Sequence, residues 1–397
     1  MQAKPRVLIA GAGIGGLTAA AALLERGIDV EVYEQARELK EVGAGVQLAA
    51  NGTRVLYALG LGDELKAFSC EAQGKEIRLW NTGETWKLFD LGPVSIERYG
   101  FPYFTVYRPD LLDVLARAVK RAKPDAIHLS SRCVGFTQSD DSVTLKLESG
   151  ATVRGDALVG ADGVHSRVRQ GLFGADKPEF TGVVAWRGIV PMKRLPQHMA
   201  RMVGSNWVGP GGHIVHYPLR AGGLMNFVGC IERSDWRVES WTARGTPEEL
   251  AADFRGWHDD IRVFIRQIDT PYKWALMVRA PLERWSVGRV SLLGDAAHSM
   301  LPFLAQGAVM AIEDGYVLAR CLAQHGVEAA LQHYESARRE RTRRTVEGSA
   351  ANIHRFHNRV LADPEEGRRF VDREWASQRI ADRYEWLFRY DAGTVEL

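Results

Sequence analysis

Two polar side chains in the middle of the chain are spaced so that they could act together on a bound ligand. His213 and Tyr217 follow a glycine-rich turn and lie in a segment that predicts a β-strand, where they share one face. Ile214 and His216 take the other face. Because histidine titrates near neutral pH, His213 could remove a proton from a ligand hydroxyl, while the Tyr217 hydroxyl could bond a carboxylate or hydroxyl. Alternatively, both histidines are sheet residues whose polar atoms are satisfied internally.

A glycine-rich turn near the amino terminus indicates a dinucleotide site. Residues 6–10 predict a short strand, and the following Gly-x-Gly-x-x-Gly turn opens a helix with an apolar stripe. Gly11 permits the tight turn, Gly13 lets backbone amides approach a pyrophosphate, and Gly16 lets the helix pack close to the strand. The helix amino terminus then faces the phosphate charge.

The second predicted strand, residues 30–33, ends at Glu34, about twenty residues after the glycine turn. A carboxylate at this position accepts hydrogen bonds from a ribose diol and repels a 2′-phosphate. These first fifty residues leave NAD and FAD as alternatives.

Two later strands end in acidic turns. Asp162 follows the apolar residues 157–161, and Asp295 follows Gly294 and the apolar strand of residues 290–293. In open α/β sheets ligands lie at the carboxyl ends of the strands, so both carboxylates are expected beside the dinucleotide. Each is also compatible with an ordinary turn after a core strand.

The composition is that of an ordinary globular protein with a small-molecule partner. The 397 residues suffice for two interleaved domains, and a net charge of +2 with 25% charged residues indicates neither nucleic acid nor a membrane as partner. The uncharged run 7–24 is too rich in glycine for a membrane span, so a cytoplasmic protein is expected. The four cysteines have no metal-binding or disulfide spacing, and no metal site is predicted.

The sequence strongly resembles the single-component FAD-dependent aromatic hydroxylases, the para-hydroxybenzoate hydroxylase-like group. It is most similar to the branch that contains salicylate hydroxylase, 3-hydroxybenzoate 6-hydroxylase and 6-hydroxynicotinate 3-monooxygenase. The resemblance covers nearly the whole chain and is carried by residues 11–16, 41–47, 107–111, 162–163, 186–188, 212–219, 294–298 and 305–308.

The predicted fold class is α/β. A Rossmann-like FAD-binding domain of the glutathione reductase type, residues 1–175 and 285–320, is interleaved with an antiparallel β-sheet substrate domain, residues 176–284. A helical C-terminal region, residues 321–397, completes the chain.

The resemblance also assigns roles to single residues. Glu34 would hold the adenosine ribose, Arg108 would lie beside the flavin, and Asp295 would bind the ribityl chain. Asp162 and Arg169 belong to a segment associated with both FAD and the nicotinamide cofactor, while Pro302 would contact both flavin and substrate. The complete set expected to bind the cofactor is Gly11, Gly13, Ile14, Gly15, Gly16, Glu34, Gly45, Val46, Arg108, Asp162, Arg169, Gly294, Asp295, Pro302, Gln306 and Gly307.

The chemistry that the resemblance implies is hydroxylation of a small phenolic acid of the hydroxybenzoate or salicylate type. NADH or NADPH would reduce bound FAD, O2 would add at flavin C4a, and the hydroperoxide would transfer oxygen to the ring. His213 would be the catalytic base and Tyr217 a substrate ligand. The alternatives are a hydroxypyridine carboxylate substrate, oxygenation of a larger compound, and a flavin-binding interaction protein without turnover.

The C-terminal region predicts charged helices. The basic run 338–344 is interpreted as a solvated or subunit-facing helix rather than a nucleic-acid site, because acidic residues are interspersed and no aromatic platform accompanies it. His354 and His357 are expected on an exposed helix, and His298 is expected to pack or to bond its loop. An aromatic face in the tail is expected to dock on the body or on a second subunit, and the second case would give a homodimer.

Overall fold

Apolar runs in both halves of the chain build a parallel sheet, which confirms the predicted α/β class. The computed structural model describes residues 4–39, 44–238 and 243–397. All neighbouring strands of this sheet are parallel. In order across the sheet, the strands are Val290–Leu292, Ala157–Gly160, Arg6–Ala10, Asp29–Tyr33 and Ile127–His128.

The first of three long helices packs on this sheet and also contacts the other two. The first helix, Ile14–Glu25, contacts both Arg108–Ala122 and Gly307–Gln324. A Cβ atom at Gly315 would lie 2.7 Å from the backbone nitrogen of Ala19, so the glycine permits the close approach of two helices. The helix expected from Leu304 begins at Gly307 and runs on to Gln324, so the predicted domain boundary at 320 falls inside it.

Two smaller antiparallel sheets flank the parallel one. One consists of Thr152–Gly155, Val143–Leu147 and Cys133–Gln138, and helix Arg167–Phe173 packs on its last strand. The other consists of Gly45–Leu48, Phe104–Tyr107 and Cys70–Glu71.

A seven-stranded, mostly antiparallel sheet forms the second large layer. The predicted strand segments between 183 and 231 are confirmed, but two strands from residues 74–90 extend this sheet beyond the expected range 176–284. Val203–Gly209 pairs in parallel with Gly74–Leu79, which protects an edge that would otherwise be unpaired. In order, the strands are Tyr272–Val278, Glu179–Pro191, Leu224–Glu232, Gly212–Leu219, Val203–Gly209, Gly74–Leu79 and Thr85–Asp90.

The two faces of this sheet have different neighbours. Trp186, Trp207 and Phe227 pack on one face against the helices Pro247–Asp253 and Asp259–Arg266. The opposite face meets the 301–304 segment and the C-terminal region in a separate cluster. The remaining helices are Ala50–Ala58, Gly62–Phe68, Pro93–Tyr99, Asp295–His298, Val327–Ala351, Ile353–Phe356, Pro364–Glu374 and Ser377–Phe388.

The basic run 338–344 is not solvated throughout, contrary to the sequence interpretation. Arg338 is fully buried and its guanidinium lies 2.7 Å from both Glu313 and Asp314. Arg341 bonds Glu313 in a two-pronged pair and stacks on the ring of Tyr390. A buried charge needs such a partner, and the acidic pair lies on the preceding long helix. Arg343 and Arg344 remain on the outer side of the helix.

The aromatic tail docks on the body of the same chain. Phe388 contacts the rings of Phe89, Tyr99 and Tyr103 at centroid distances between 5.6 and 6.1 Å. Within the described ranges, no helix combines the length and the apolar character needed to cross a membrane.

Candidate active site

Four predicted ligand-binding segments lie at one edge of the parallel sheet. Because neighbouring strands are parallel, their carboxyl ends meet at this edge. From one side to the other, the order is Asp295, Asp162, the turn beginning at Gly11, and Glu34. Three strand spacings separate the ends of the row, or about 14 Å. This row suits an elongated ligand that spans the strand ends.

The glycine turn is tightly packed at two of its glycines and open at a third. Gly11 has φ +105°, and a Cβ atom there would lie 2.4 Å from the carbonyl oxygen of Ala161. Gly16 is equally confined, because its Cβ would lie 2.1 Å from the Gly11 oxygen. A Cβ at Gly13 would instead point into open space, with no protein atom within 4 Å. Ile14 and Gly15 open the first helix directly after this free position.

Glu34 is held against the same turn. Its carboxylate oxygens accept hydrogen bonds from the backbone amides of Ala12 at 2.8 Å and Ala36 at 2.9 Å. A carboxylate has about four acceptor sites, so capacity remains for the hydroxyls of a ribose. The side chain is only half-buried, which leaves it accessible to a ligand.

Asp162 caps a helix and points one oxygen inward. Its Oδ2 accepts hydrogen bonds from the amides of Arg167 and Val168, whereas its Oδ1 is buried without a partner among the described residues. Burial raises the pKa of this carboxyl. Arg169 is also buried, and its guanidinium bonds Asp176 and the carbonyl oxygen of Ala296. Arg169 therefore ties this helix to the turn that carries Asp295.

The turn at Gly294 exposes one carboxylate and buries the histidine that follows. Gly294 has φ +62°, and its amide donates to Asp314. Asp295 is exposed at the sheet edge, and no hydrogen bond within the described ranges involves its carboxylate. His298 is buried, which agrees with the expected packing role, and its Nε2 lies 2.6 Å from Asp314 on the helix Gly307–Gln324 rather than bonding its own loop.

The segment 302–307 approaches the seven-stranded sheet. Pro302 is exposed, and the next residue, Phe303, lies edge-on to the His213 ring at a centroid distance of 4.8 Å. Gln306 is buried, and its side-chain oxygen accepts a hydrogen bond from Asn51 at 3.0 Å. Gly307 begins the long helix, whose first backbone amides have no partners within the helix.

A short strand brings the two layers together. The Gly45 amide donates to Asn226 Oδ1 at 3.0 Å, and a Cβ atom at Gly45 would lie 2.7 Å from the Tyr217 hydroxyl oxygen. Val46 is half-buried beside Gly45, and the Arg108 amide bonds the carbonyl oxygen of Ala44. Residues 41–43 of the predicted 41–47 motif lie outside the described residues.

The predicted alternation of the strand Gly212–Leu219 is confirmed by its neighbours. His213 contacts Phe303 and Phe356, whereas His216 contacts Phe264 and accepts a hydrogen bond from the indole of Trp207 on the other face. Burial lowers the pKa of His213 well below its usual range. The imidazole is therefore neutral near pH 7 and able to accept a proton.

His213 has a partner that the sequence did not predict. Its Nδ1 lies 2.7 Å from Nε2 of His357, which is 3% exposed. The expectation that His357 lies on an exposed helix is thus wrong, because it follows the short helix Ile353–Phe356 as that helix packs on the sheet. Its spacing from His354 gave no signal for this contact.

Lys75 is a second residue that sequence reasoning missed. It lies opposite Gly204 in the neighbouring strand, and its side chain passes over the space above this glycine, as does the Tyr217 Cβ atom. Its Nζ lies 5.5 Å from the centroid of the Tyr103 ring, and no ion pair within the described ranges involves it. Burial lowers the pKa of Lys75 to about 8, so the ammonium form still predominates at neutral pH.

Replacing His216 with glutamine is expected to make the protein less sensitive to acid. Burial lowers the pKa of His216 to about 3 in the folded state, whereas an unfolded histidine titrates near 6.5. Between these values the unfolded state binds more protons, so this residue reduces stability as pH falls. His216→Gln should lessen that dependence by up to about 1.4 kcal/mol per pH unit. Urea unfolding at intervals from about pH 4.5 to about pH 7.5 measures the slope.

The matched control is Gln197→Asn, at an exposed position whose side chain has no titratable group. It should leave the pH dependence of unfolding as in the parent protein. Identical slopes for His216→Gln and the parent would contradict the buried, neutral state of His216.

Comparison with protein families agrees with this geometry. A model described as "FAD binding domain" matches residues 4–349. The 3-amino-4-hydroxybenzoate 2-monooxygenase PtnB3 of Streptomyces platensis is 39% identical over 394 residues, which cover 99% of this chain and 98% of the relative. The 3-hydroxybenzoate 6-hydroxylase of Polaromonas naphthalenivorans is 36% identical over 396 residues, covering 98% and 96% of the two chains.

The fold has solved counterparts. The crystal structure of Klebsiella pneumoniae HpxO complexed with FAD and uric acid superposes with a TM-score of 0.82 at 28% identity. The match covers 94% of this chain and 96% of that one.

Proposed function

The chain belongs to the FAD-binding-domain family of flavoprotein monooxygenases, and from this we propose that it hydroxylates a small phenolic carboxylate with FAD, NADH or NADPH, and O2. The observation that carries the proposal is the shared face of His213 and Tyr217 opposite the 302–307 segment. We favour hydroxybenzoate-type acids as substrates because two relatives, each covered almost completely, are named for acting on such acids.

The residues at the parallel-sheet edge fit FAD. The open space at Gly13 and the adjacent helix amino terminus suit a pyrophosphate, and Glu34 suits the adenosine ribose. The exposed Asp295 and the unpartnered Oδ1 of Asp162 supply acceptors for hydroxyl groups at the other end. We assign Arg169 a positioning role through its bond to the Asp295 turn. Pro302, Gln306 and Gly307 would border the flavin ring.

The substrate would lie between His213 and Tyr217. They lie four positions apart along the strand, a Cα distance of about 13 Å, which a benzene ring with a polar group and its hydrogen bond at each end can bridge. Once reduced and exposed to O2, bound FAD supplies an electrophilic oxygen atom. The protein places the aromatic ring, excludes water and removes the phenolic proton, which raises electron density on the ring.

His213 is suited to the base role by its burial. The neutral imidazole offers Nε2 as an acceptor, because Nδ1 is engaged with His357. Tyr217 would donate its hydroxyl to the carboxylate of the acid, with Asn226 beside it. The buried Nδ2 of Asn226 has no partner among the described residues and is a further donor for that carboxylate.

The proposal is tested by screening acids for stimulated NAD(P)H oxidation and hydroxylated product. The panel contains 3-hydroxybenzoate, 3-amino-4-hydroxybenzoate, salicylate and 6-hydroxynicotinate, each with NADH and with NADPH. We expect a hydroxybenzoate to give product in proportion to oxidised cofactor. Bound FAD without stimulation by any of these acids would instead favour a flavin-binding protein without turnover.

Lys75→Met is expected to raise KM for the acid by about 10- to 100-fold, the range of a hydrogen bond to a charged group. Lys75 shares a sheet face with Tyr217, and its side chain passes close to the Tyr217 Cβ atom, so we place the substrate carboxylate within its reach. The measurement compares KM for 3-hydroxybenzoate and for 3-hydroxybenzamide, since only the acid should lose binding. In the parent protein, KM for the acid should rise above about pH 8 as Lys75 deprotonates.

Lys87→Met is the control, because Lys87 lies on the edge strand of the same sheet and pairs with Asp90 at the surface. The KM of the Lys87→Met variant for the acid should equal that of the parent protein. Equal KM values for Lys75→Met and the parent would remove Lys75 from the substrate site.

The finer organisation is also proposed. The division into a discontinuous cofactor domain, a substrate domain and a C-terminal region stays a prediction, as do a homodimer and a cytoplasmic location. Sedimentation of the purified protein measures the oligomeric state.

A further inference from the structure

A hydrogen-bonded pair of histidines connects the candidate base with the surface of the molecule. His213 Nδ1 lies 2.7 Å from His357 Nε2, and His357 Nδ1 lies 3.3 Å from Glu232 Oε1. Both imidazoles are buried, whereas the Glu232 side chain is 34% exposed. The contacts therefore run from the interior of the site to solvent.

The carboxylate at the outer end determines how the protons are arranged. An ionised carboxylate only accepts hydrogen bonds, so His357 donates from Nδ1 and accepts at Nε2. His213 must then donate from Nδ1, and its Nε2 keeps the lone pair that a base needs. Glu232 thus sets the tautomer of His213 through His357.

The Glu232 end of this series of contacts lies at a surface cavity of about 680 Å³. Glu232, His354, His357 and Arg359 all line it. The Arg359 guanidinium lies 2.5 Å from Glu232 Oε2 and holds the carboxylate in place. The titratable or charged groups that act on His357 are His213, on the inner side, and Glu232, His354 and Arg359 on the cavity side.

We propose that His357 and Glu232 form a proton-transfer chain that carries the proton taken up by His213 to this cavity. The inference rests on the proposed function, because it requires His213 to be the base. The substrate O–H bond breaks as its proton bonds to His213 Nε2, and the Nδ1 proton of His213 moves to His357 Nε2. The Nδ1 proton of His357 then moves to Glu232, which releases it to water.

This series of proton transfers leaves no charged imidazole in the interior of the protein. Each ring gains one proton and loses another, so both are neutral before and after the transfer. Burial lowers the pKa of His357 to about 4 and that of His213 well below its usual range. A mechanism that left the proton on either ring would therefore oppose the effect of burial.

The test follows substrate deprotonation directly in the full-length, FAD-loaded protein. The probe is the most active acid of the panel, whose phenolate is monitored by stopped-flow absorbance. His357→Phe should slow deprotonation about tenfold or more, with FAD content and the Kd of the acid unchanged. Added imidazole should restore part of the rate in His357→Ala. Glu232→Gln keeps an acceptor for His357 but cannot take its proton, so it should slow the same step.

The matched control is His354→Gln, which alters the same cavity without touching His213, and it should deprotonate the acid at the parent rate. If His357→Phe and Glu232→Gln both deprotonate the acid at the parent rate while His213→Ala deprotonates it slowly, the proton-transfer chain is overturned and the base role of His213 stands. A parent rate in His213→Ala would overturn the proposed base itself. Equal losses in the His354 and His357 variants would identify a general disturbance of the cavity and reject the chain.

Discussion

Gly13→Val is expected to reduce FAD affinity by about 100-fold or more, equivalent to about 2.7 kcal/mol, while the protein still folds. Gly13 has φ −71° and ψ −179°, which valine adopts readily, and its Cβ would meet no protein atom within 4 Å. The added side chain would instead occupy the space assigned to the pyrophosphate. A less favourable helix cap should cost about 1 kcal/mol of stability. FAD titration monitored by flavin fluorescence, with thermal unfolding of the apoprotein, measures both effects.

Gly135→Val is the matched control for this substitution. Gly135 also lacks a positive φ, and a Cβ atom there would likewise meet no protein atom within 4 Å, but it lies on the small antiparallel sheet. Its FAD affinity should equal that of the parent. If Gly13→Val bound FAD as tightly as Gly135→Val, the pyrophosphate could not lie at the glycine turn.

The second large effect is expected at the base. His213→Ala should retain FAD and continue to oxidise NAD(P)H, but hydroxylated product should fall by about 100- to 10,000-fold, the usual contribution of general base catalysis. The reducing equivalents should then appear as hydrogen peroxide. Product and peroxide are quantified against oxidised NAD(P)H in the same reaction.

His216→Gln provides the comparison on the opposite face of the same strand. Its side chain contacts Trp207 and Phe264 rather than the 302–307 segment, so product formation per NAD(P)H should equal that of the parent. Unchanged coupling in His213→Ala would refute the base role, whatever its effect on stability.

The meeting of the candidate cofactor residues at one sheet edge could be predicted from the sequence because its signals are local. The glycine turn, the strand that ends at Glu34 and the acidic turns at Asp162 and Asp295 each combine an apolar strand with a residue type of defined use. Parallel pairing then brings them to one edge without further information. The alternation of His213 and His216 was predictable for the same reason, since it depends only on strand geometry.

The contacts that were missed depend on partners far away in the chain. In the sequence Arg338 has the features of a surface residue, and only the folded structure places Glu313 and Asp314 of the preceding long helix against it. His357 meets His213 across 144 positions, and nothing in its own helix indicates a buried imidazole. Lys75 lies in a segment with an ordinary strand pattern, and only the pairing of the strands brings it to the same sheet face as Tyr217.

The close packing of helix Ile14–Glu25 against Gly307–Gln324 has a consequence for biosynthesis. The first helix leaves the ribosome about 280 residues before its partner, and at about 5–20 residues per second the interval is about 15 to 60 s. During this time the apolar face of the helix lacks its final neighbour, and strand Ala157–Gly160, once synthesised, lacks its neighbour Val290–Leu292. The parallel sheet can therefore be completed only after the last third of the protein has been synthesised.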